Sequence, residues 1–117
     1  TIVGQLPKQY SPTNQTKSTS IYQVNGAADT TCPIDGGPKL GYVFLEALES
    51  AQTWANAFQC DSYQLENIVD DKLYIFKNCK DGKEVRYLRI ENGQHNLHWG
   101  PGANQLFSEI WEFLKRF

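Results

Sequence analysis

The stretch from Lys72 to Asn92, KLYIFKNCKDGKEVRYLRIEN, decides how the rest of the chain is read. Its two ends, KLYIFKNC and EVRYLRIEN, are rich in β-branched and aromatic residues, and the Asp81-Gly82 pair in the KDGK between them is a strong hairpin signal. Upstream, the Tyr42–Phe58 segment changes to helical spacing. Leu45, Leu48, Ala51, Trp54, Ala55 and Phe58 recur three or four residues apart, which predicts a helix laid on the sheet by one face. Before it, SIYQVNG (Ser20–Gly26) reads as a buried strand closing into a tight turn, followed by the Gly-, Pro- and Asp-rich loop AADTTCPIDGGPKLG. TIVGQL (Thr1–Leu6) is a further strand candidate, and PKQYSPTNQTKSTS after it a surface loop. Downstream, NQLFSEIWEFLKRF is an amphipathic helix with Leu106, Ile110, Phe113 and Leu114 on one face, flanked by Phe107 and Trp111. Strand, strand, helix, hairpin, helix is an α/β order, with helices covering a sheet whose strands are largely buried.

At 117 residues, 40% of them hydrophobic, the chain holds one core and one domain. The net charge of -2 and the scattered 11 Lys and Arg leave no footprint for phosphate, so nucleic acid is not an expected partner. No apolar run approaches the about 18 residues that a membrane span needs, and no basic-then-apolar leader follows Thr1. Any signal peptide is expected upstream of Thr1. The 3 Trp, 6 Tyr and 6 Phe without Met fit a firm core, or a surface that binds sugar or aryl groups.

Three cysteines leave one over if two pair. Cys60 follows the helical segment and Cys79 a strand segment. A bridge between them would close a short loop, stabilise by about 3 kcal/mol and imply an oxidising compartment, secreted or periplasmic. Cys32, in the turn-rich DTTCPID, is either a small buried residue or the partner of a cysteine elsewhere.

Two loops stand at strand ends, where open α/β sheets build their sites. One is NGAADTTCPIDGG with Asp29 and Asp35, the other GQHNLHWGPG with His95 and His98. A histidine base must be held in one tautomer by a carboxylate accepting its second N–H, which needs both groups on rigid neighbouring strand ends. The plainer alternatives are an Asx-turn for Asp29 and a solvent-exposed hydrogen-bonding role for the histidines.

The ordered series VNGAADTTCPIDGG, WANAFQC, YIFKNC, VRYLRIENGQH, HWGPG and EIWEFL resembles the C-terminal part of the secreted feruloyl esterase and polyhydroxybutyrate depolymerase-like family of α/β-hydrolases, over roughly Ser20 to Phe117. The resemblance implies that Asp29 is the triad acid, with Pro33 and Gly36-Gly37 completing its motif, while Asp35 caps the loop. It supports the Cys60–Cys79 bridge and places the triad histidine in the GQHNLHWGPG loop. His95 is favoured because it follows strand and glycine directly; His98, beside Trp99, is the alternative. Trp99 and His98 would line the substrate pocket.

The family's nucleophile motif is absent. No G-x-S-x-G occurs, and none of Ser11, Ser18, Ser20, Ser50, Ser62 or Ser108 has the flanking glycines. The expectation is therefore a single partial α/β-hydrolase domain over residues 1–117, its C-terminal portion, inactive alone. It would supply the Asp and His of a Ser-His-Asp carboxylic ester hydrolase without metal or cofactor. Implied substrates are feruloyl or acetyl esters on plant polysaccharide, or hydroxyalkanoate esters. The implied partner is the serine-bearing half, or a second copy joined through the sheet edge left open at TIVGQL. The alternative reading is a non-catalytic carbohydrate- or aryl-binding module using Trp99, Tyr42 and Trp54. Metal binding by His95, His98 and Cys32 does not match any familiar zinc spacing.

Overall fold

A computed structural model describes residues 5–39, 41–95 and 103–117, with side chains in the last segment described from Leu106 onward. Four strands form one mixed sheet, β1 (Ile21–Gly26), β4 (Gln64–Ile68), β5 (Asp71–Phe76) and β6 (Val85–Ile90), in the order β1-β6-β5-β4. β1 and β6 are parallel, from Ile21 opposite Val85 to Gly26 opposite Ile90, whereas β6, β5 and β4 form an antiparallel meander. A small separate hairpin of β2 (Gly37–Lys39) and β3 (Tyr42–Phe44) precedes helix α1 (Ala47–Ala57), and α2 (Ala103–Leu114) closes the order. The chain is a small mixed α/β domain with one helix on each face of the sheet.

Strand alternation produces the two faces. Tyr74, Phe76, Val85 and Tyr87 point to α1 and meet Ala47, Ala51, Ala55 and Phe58. Three alanines on that helix let its backbone lie close to the large sheet aromatics. On the opposite face Tyr22, Val24, Leu73, Ile75 and Leu88 pack against Leu106, Ile110 and Phe113 of α2. Leu114, expected on that buried face, is exposed with Phe107 and Trp111.

The α1 face of β1 carries amides instead of hydrocarbon. Gln23, Asn25 and Ser50 are completely buried, and their polar groups are satisfied among themselves, by Gln5 and by the Ala47 carbonyl. Such a network is tolerated in a low-dielectric interior only because its members are paired.

Helix α1 starts at Ala47, not at Tyr42. Tyr42–Phe44 is taken by the β2–β3 hairpin, and Glu46 is still extended at φ -54°, ψ 144°. The predicted turn between β5 and β6 is also wider than KDGK: the strands stop at Phe76 and resume at Val85, and Asp81 and Gly82 both take positive φ inside the loop. Within that loop Cys79 is bridged to Cys60, so the disulfide fastens the end of α1 to the β5–β6 connection. Cys32 is the free cysteine and is buried.

Residues 1–4 of TIVGQL lie outside the described residues, and Gln5 and Leu6 are not strand. They run as a strap instead: Leu6 accepts from the Leu45 N–H, and its own N–H donates to Ser50 Oγ at 2.9 Å. Among the described residues the solvent-exposed strand is β4, all five of whose residues are exposed. Its shortness and Glu66 are devices that discourage pairing with other chains. The other edge strand is β1, whose residues from Tyr22 to Gly26 are buried and which pairs only with β6; the open edge expected at TIVGQL falls mostly on residues 1–4, outside the described residues. Among the described residues no helix is long and apolar enough to cross a membrane.

Candidate functional site

Because β1 and β6 are neighbours and parallel, their C-terminal ends emerge side by side. The two loops that carry Asp29 and His95 therefore begin together. Backbone bonds hold them: Ala27 N–H donates to the Ile90 carbonyl (2.8 Å), Gly93 N–H to the same oxygen (3.1 Å), and Ala28 N–H to the Gly93 carbonyl (2.9 Å). This seam needs glycine for space and not for conformation. A Cβ at Gly26 would sit 2.2 Å from the Gly93 oxygen, and one at Gly93 would sit 3.0 Å from the Gly26 Cα.

Beyond the seam the β1 loop turns at once, with Asp29 N–H donating to the Gly26 carbonyl at 3.1 Å. The Asp29 carboxylate then divides its work. Oδ1 accepts from the N–H groups of Thr31 and Cys32, each at 2.8 Å, which is the Asx-turn of the plainer alternative. Oδ2 lies 2.8 Å from Nδ1 of His95. The two roles combine, because the turn fixes the plane of the carboxylate and so aims its second oxygen.

Burial gives the pair its asymmetry. The Asp29 side chain is 0% exposed and the His95 side chain 35% exposed. A buried carboxylate accepting at Nδ1 selects the tautomer with the proton on that nitrogen and leaves Nε2 as the basic atom on the accessible side. Among the described residues Nε2 makes no hydrogen bond. Cys32, whose N–H contacts Asp29, is buried, and its thiolate is disfavoured. Burial first, and the Asp29 charge second, push its thiol up, with Lys39 opposing.

Asp35 is exposed and does not join the pair. His98 and Trp99 lie outside the described residues. Trp54 packs against Phe58, with ring centroids 5.6 Å apart, and is half-buried on α1. Tyr42 is exposed and neighbours Tyr10 and Phe44, at 6.0 and 6.3 Å between centroids. Among the described residues no group of three or more His, Cys, Asp or Glu is placed to hold a metal ion.

What sequence reasoning missed is the support beneath the site. The buried amides of Gln5, Gln23 and Asn25 carry no motif, and the signal was only that three polar residues stand inside or beside otherwise strand-like, apolar segments. Comparison with known protein families, with curated proteins and with solved structures finds no match.

Proposed function

We propose that this chain supplies the general base, His95, and its orienting acid, Asp29, to a serine-type carboxylic ester hydrolase. The observation that carries the reading is the 2.8 Å contact between Asp29 Oδ2 and His95 Nδ1 at the ends of adjacent parallel strands, with the acid buried and the imidazole side chain partly exposed. In the proposed reaction Nε2 takes the proton of a serine hydroxyl as its oxygen attacks the ester carbonyl. The proton passes to the departing alcohol, leaving an acyl-enzyme, and water attacks that ester with His95 as base again. Asp29 keeps the Nδ1 proton in place and offsets the charge of the imidazolium.

The serine and the oxyanion donors come from outside the 117 residues, since no G-x-S-x-G is present within them. The partner is thus the serine-bearing half of an α/β-hydrolase, of which this chain is the C-terminal part. The resemblance to feruloyl esterases and polyhydroxybutyrate depolymerases points to hydroxycinnamoyl, acetyl or hydroxyalkanoate esters, with His98 and Trp99 at the pocket mouth. The Cys60–Cys79 bridge favours a secreted or periplasmic setting.

Hydrolysis of p-nitrophenyl acetate and methyl ferulate tests the reading, with the chain alone and with the natural protein or complex that contains it. The chain alone is expected to be inert, and His95→Ala and Asp29→Asn to lower the parent's kcat/KM by roughly 10³-fold or more. A parent indifferent to both substitutions would refute it. A second reading, carbohydrate binding without catalysis, draws on the exposed Tyr10 and Tyr42 rings. It predicts saturable binding of a xylo-oligosaccharide that is lost in Tyr42→Ala and retained in His95→Ala.

A further inference from the structure

The residue that places the Asp29 loop is not in the loop. Gln5 is 5% exposed, and its side-chain amide spans two elements. Its Oε1 accepts from Asn25 Nδ2 at 2.9 Å, and its Nε2 donates to the carbonyl of Pro33, the residue after Cys32 in the Asp29 turn. From Asn25 the network continues inward: Gln23 Nε2 donates to Asn25 Oδ1 (2.9 Å) and to the Ala47 carbonyl (2.8 Å), and Ser50 Oγ donates to Gln23 Oε1 (2.8 Å). Ser50 also receives the Leu6 N–H, so the strap holding Gln5 is itself anchored to α1.

We propose that Gln5 is a positioning residue for the Asp29–His95 pair, clamping the far end of the Asp29 turn to β1. The turn has two ends. The near end is fixed by the Gly26–Gly93 seam; the far end leaves β1 and is tied back to it by Gln5 through Asn25. Asp29, whose Oδ1 is bound by the N–H groups of Thr31 and Cys32, sits between these fastenings. If the Pro33 end drifts, those N–H groups move, the carboxylate plane turns with them, and Oδ2 loses its aim at Nδ1. A buried amide bridging two polar groups is costly to replace, because both partners are then left unsatisfied.

The proposal deepens the acid–base reading of Asp29 and His95 and rests on it. Long-range ¹H–¹⁵N correlation spectra of the natural protein or complex that contains this chain, with the chain's histidines labelled, test it in mildly alkaline solution, where free imidazoles are neutral. The Nδ1–H tautomer of His95 is expected to dominate in the wild type. Gln5→Leu, similar in size but unable to bridge, is expected to shift the ratio at least about threefold toward Nε2–H. Ile110→Ala, on the opposite face under α2, serves as a destabilised control and is expected to leave the ratio unchanged. Gln5→Asn, which keeps the amide but loses the reach, replaces Gln5→Leu if that variant does not fold. An unchanged ratio in the Gln5 variant overturns the proposal, as does an equal shift in Ile110→Ala, which would mean general loosening. A wild-type His95 already in the Nε2–H form defeats the underlying reading of the pair instead.

Discussion

Gly26→Ala is the smallest change that strikes the seam between the two site loops. The added methyl would lie 2.2 Å from the Gly93 oxygen, 2.3 Å from its carbonyl carbon and 2.9 Å from the Gln94 nitrogen, all backbone atoms. Nothing flexible can swing aside, so the His95 loop must retreat by most of an ångström. The retreat strains or breaks the 2.9 Å bond from Ala28 N–H to that same Gly93 oxygen. Overpacking against rigid neighbours costs about 1–3 kcal/mol and a lost hydrogen bond about 1 kcal/mol, so a loss of about 2–4 kcal/mol is expected. The Asp29–His95 distance would rise from 2.8 Å beyond hydrogen-bonding range, and a misplacement of that size lowers turnover by roughly 10²-fold. Urea denaturation measures the first effect and ester hydrolysis by the complete protein the second. Gly26→Ala with wild-type stability and activity would show that the two loops are not held by this seam.

Asp29→Asn keeps an oxygen for the Thr31 and Cys32 N–H groups but presents an NH₂ to His95, which forces the opposite tautomer; turnover is expected to fall about 10³–10⁴-fold with a stability loss of only about 1–2 kcal/mol, read by kinetics and by denaturation. Reducing the Cys60–Cys79 bridge, or replacing both cysteines with alanine, is expected to cost about 3 kcal/mol for its loop of separation 19, measured as a lower urea midpoint. Cys32, buried with its thiol pushed up, is expected to resist iodoacetamide at neutral pH in the folded chain and to react once the chain is unfolded; rapid labelling of the native chain would contradict its placement. Burial beneath α2, with Glu109 adding and Arg86 opposing, pushes Tyr22 up to about 12. Its neutral form is favoured by folding, so that stability is whole below about pH 10 and falls by up to about 3 kcal/mol as pH rises from 10 toward 12. Tyr22→Phe should remove that share of the alkaline decline in denaturation curves collected across this range, leaving the share of Tyr87, whose hydroxyl burial also pushes up.

The parts of the fold legible in the sequence are those where burial forces the pattern. The apolar runs Leu73–Phe76 and Val85–Leu88 reflect strands covered by a helix on each face, and the spacing of Ala47, Ala51, Ala55 and Phe58 reflects one buried helix face. β4 left no such trace. Its residues QLENI are exposed on both faces, and its two-residue turn is Val69-Asp70, with Val69 at φ +57°, where Asn-Gly would have been readable. Helix α1 was read five residues too long at its start because Tyr42–Phe44 runs without a break into the helical periodicity that begins at Leu45, but is recruited by the Gly37–Lys39 strand, a tertiary choice. In the site, Asp29 and His95 were legible as strand-end groups, since parallel neighbours bring their C-terminal ends together. Gln5 was not: it acts at a sequence distance of 28 from Pro33, and its segment reads as an apolar strand.

The most direct test of the account is to label the complete natural protein or complex with a fluorophosphonate and to map the modified residue by mass spectrometry, with and without His95→Ala. The account predicts one modified serine lying outside residues 1–117, labelled roughly 10³-fold more slowly when His95 is alanine. Labelling at a serine within this chain, or labelling indifferent to His95, would contradict the assignment of Asp29 and His95 as the acid and base of an ester hydrolase.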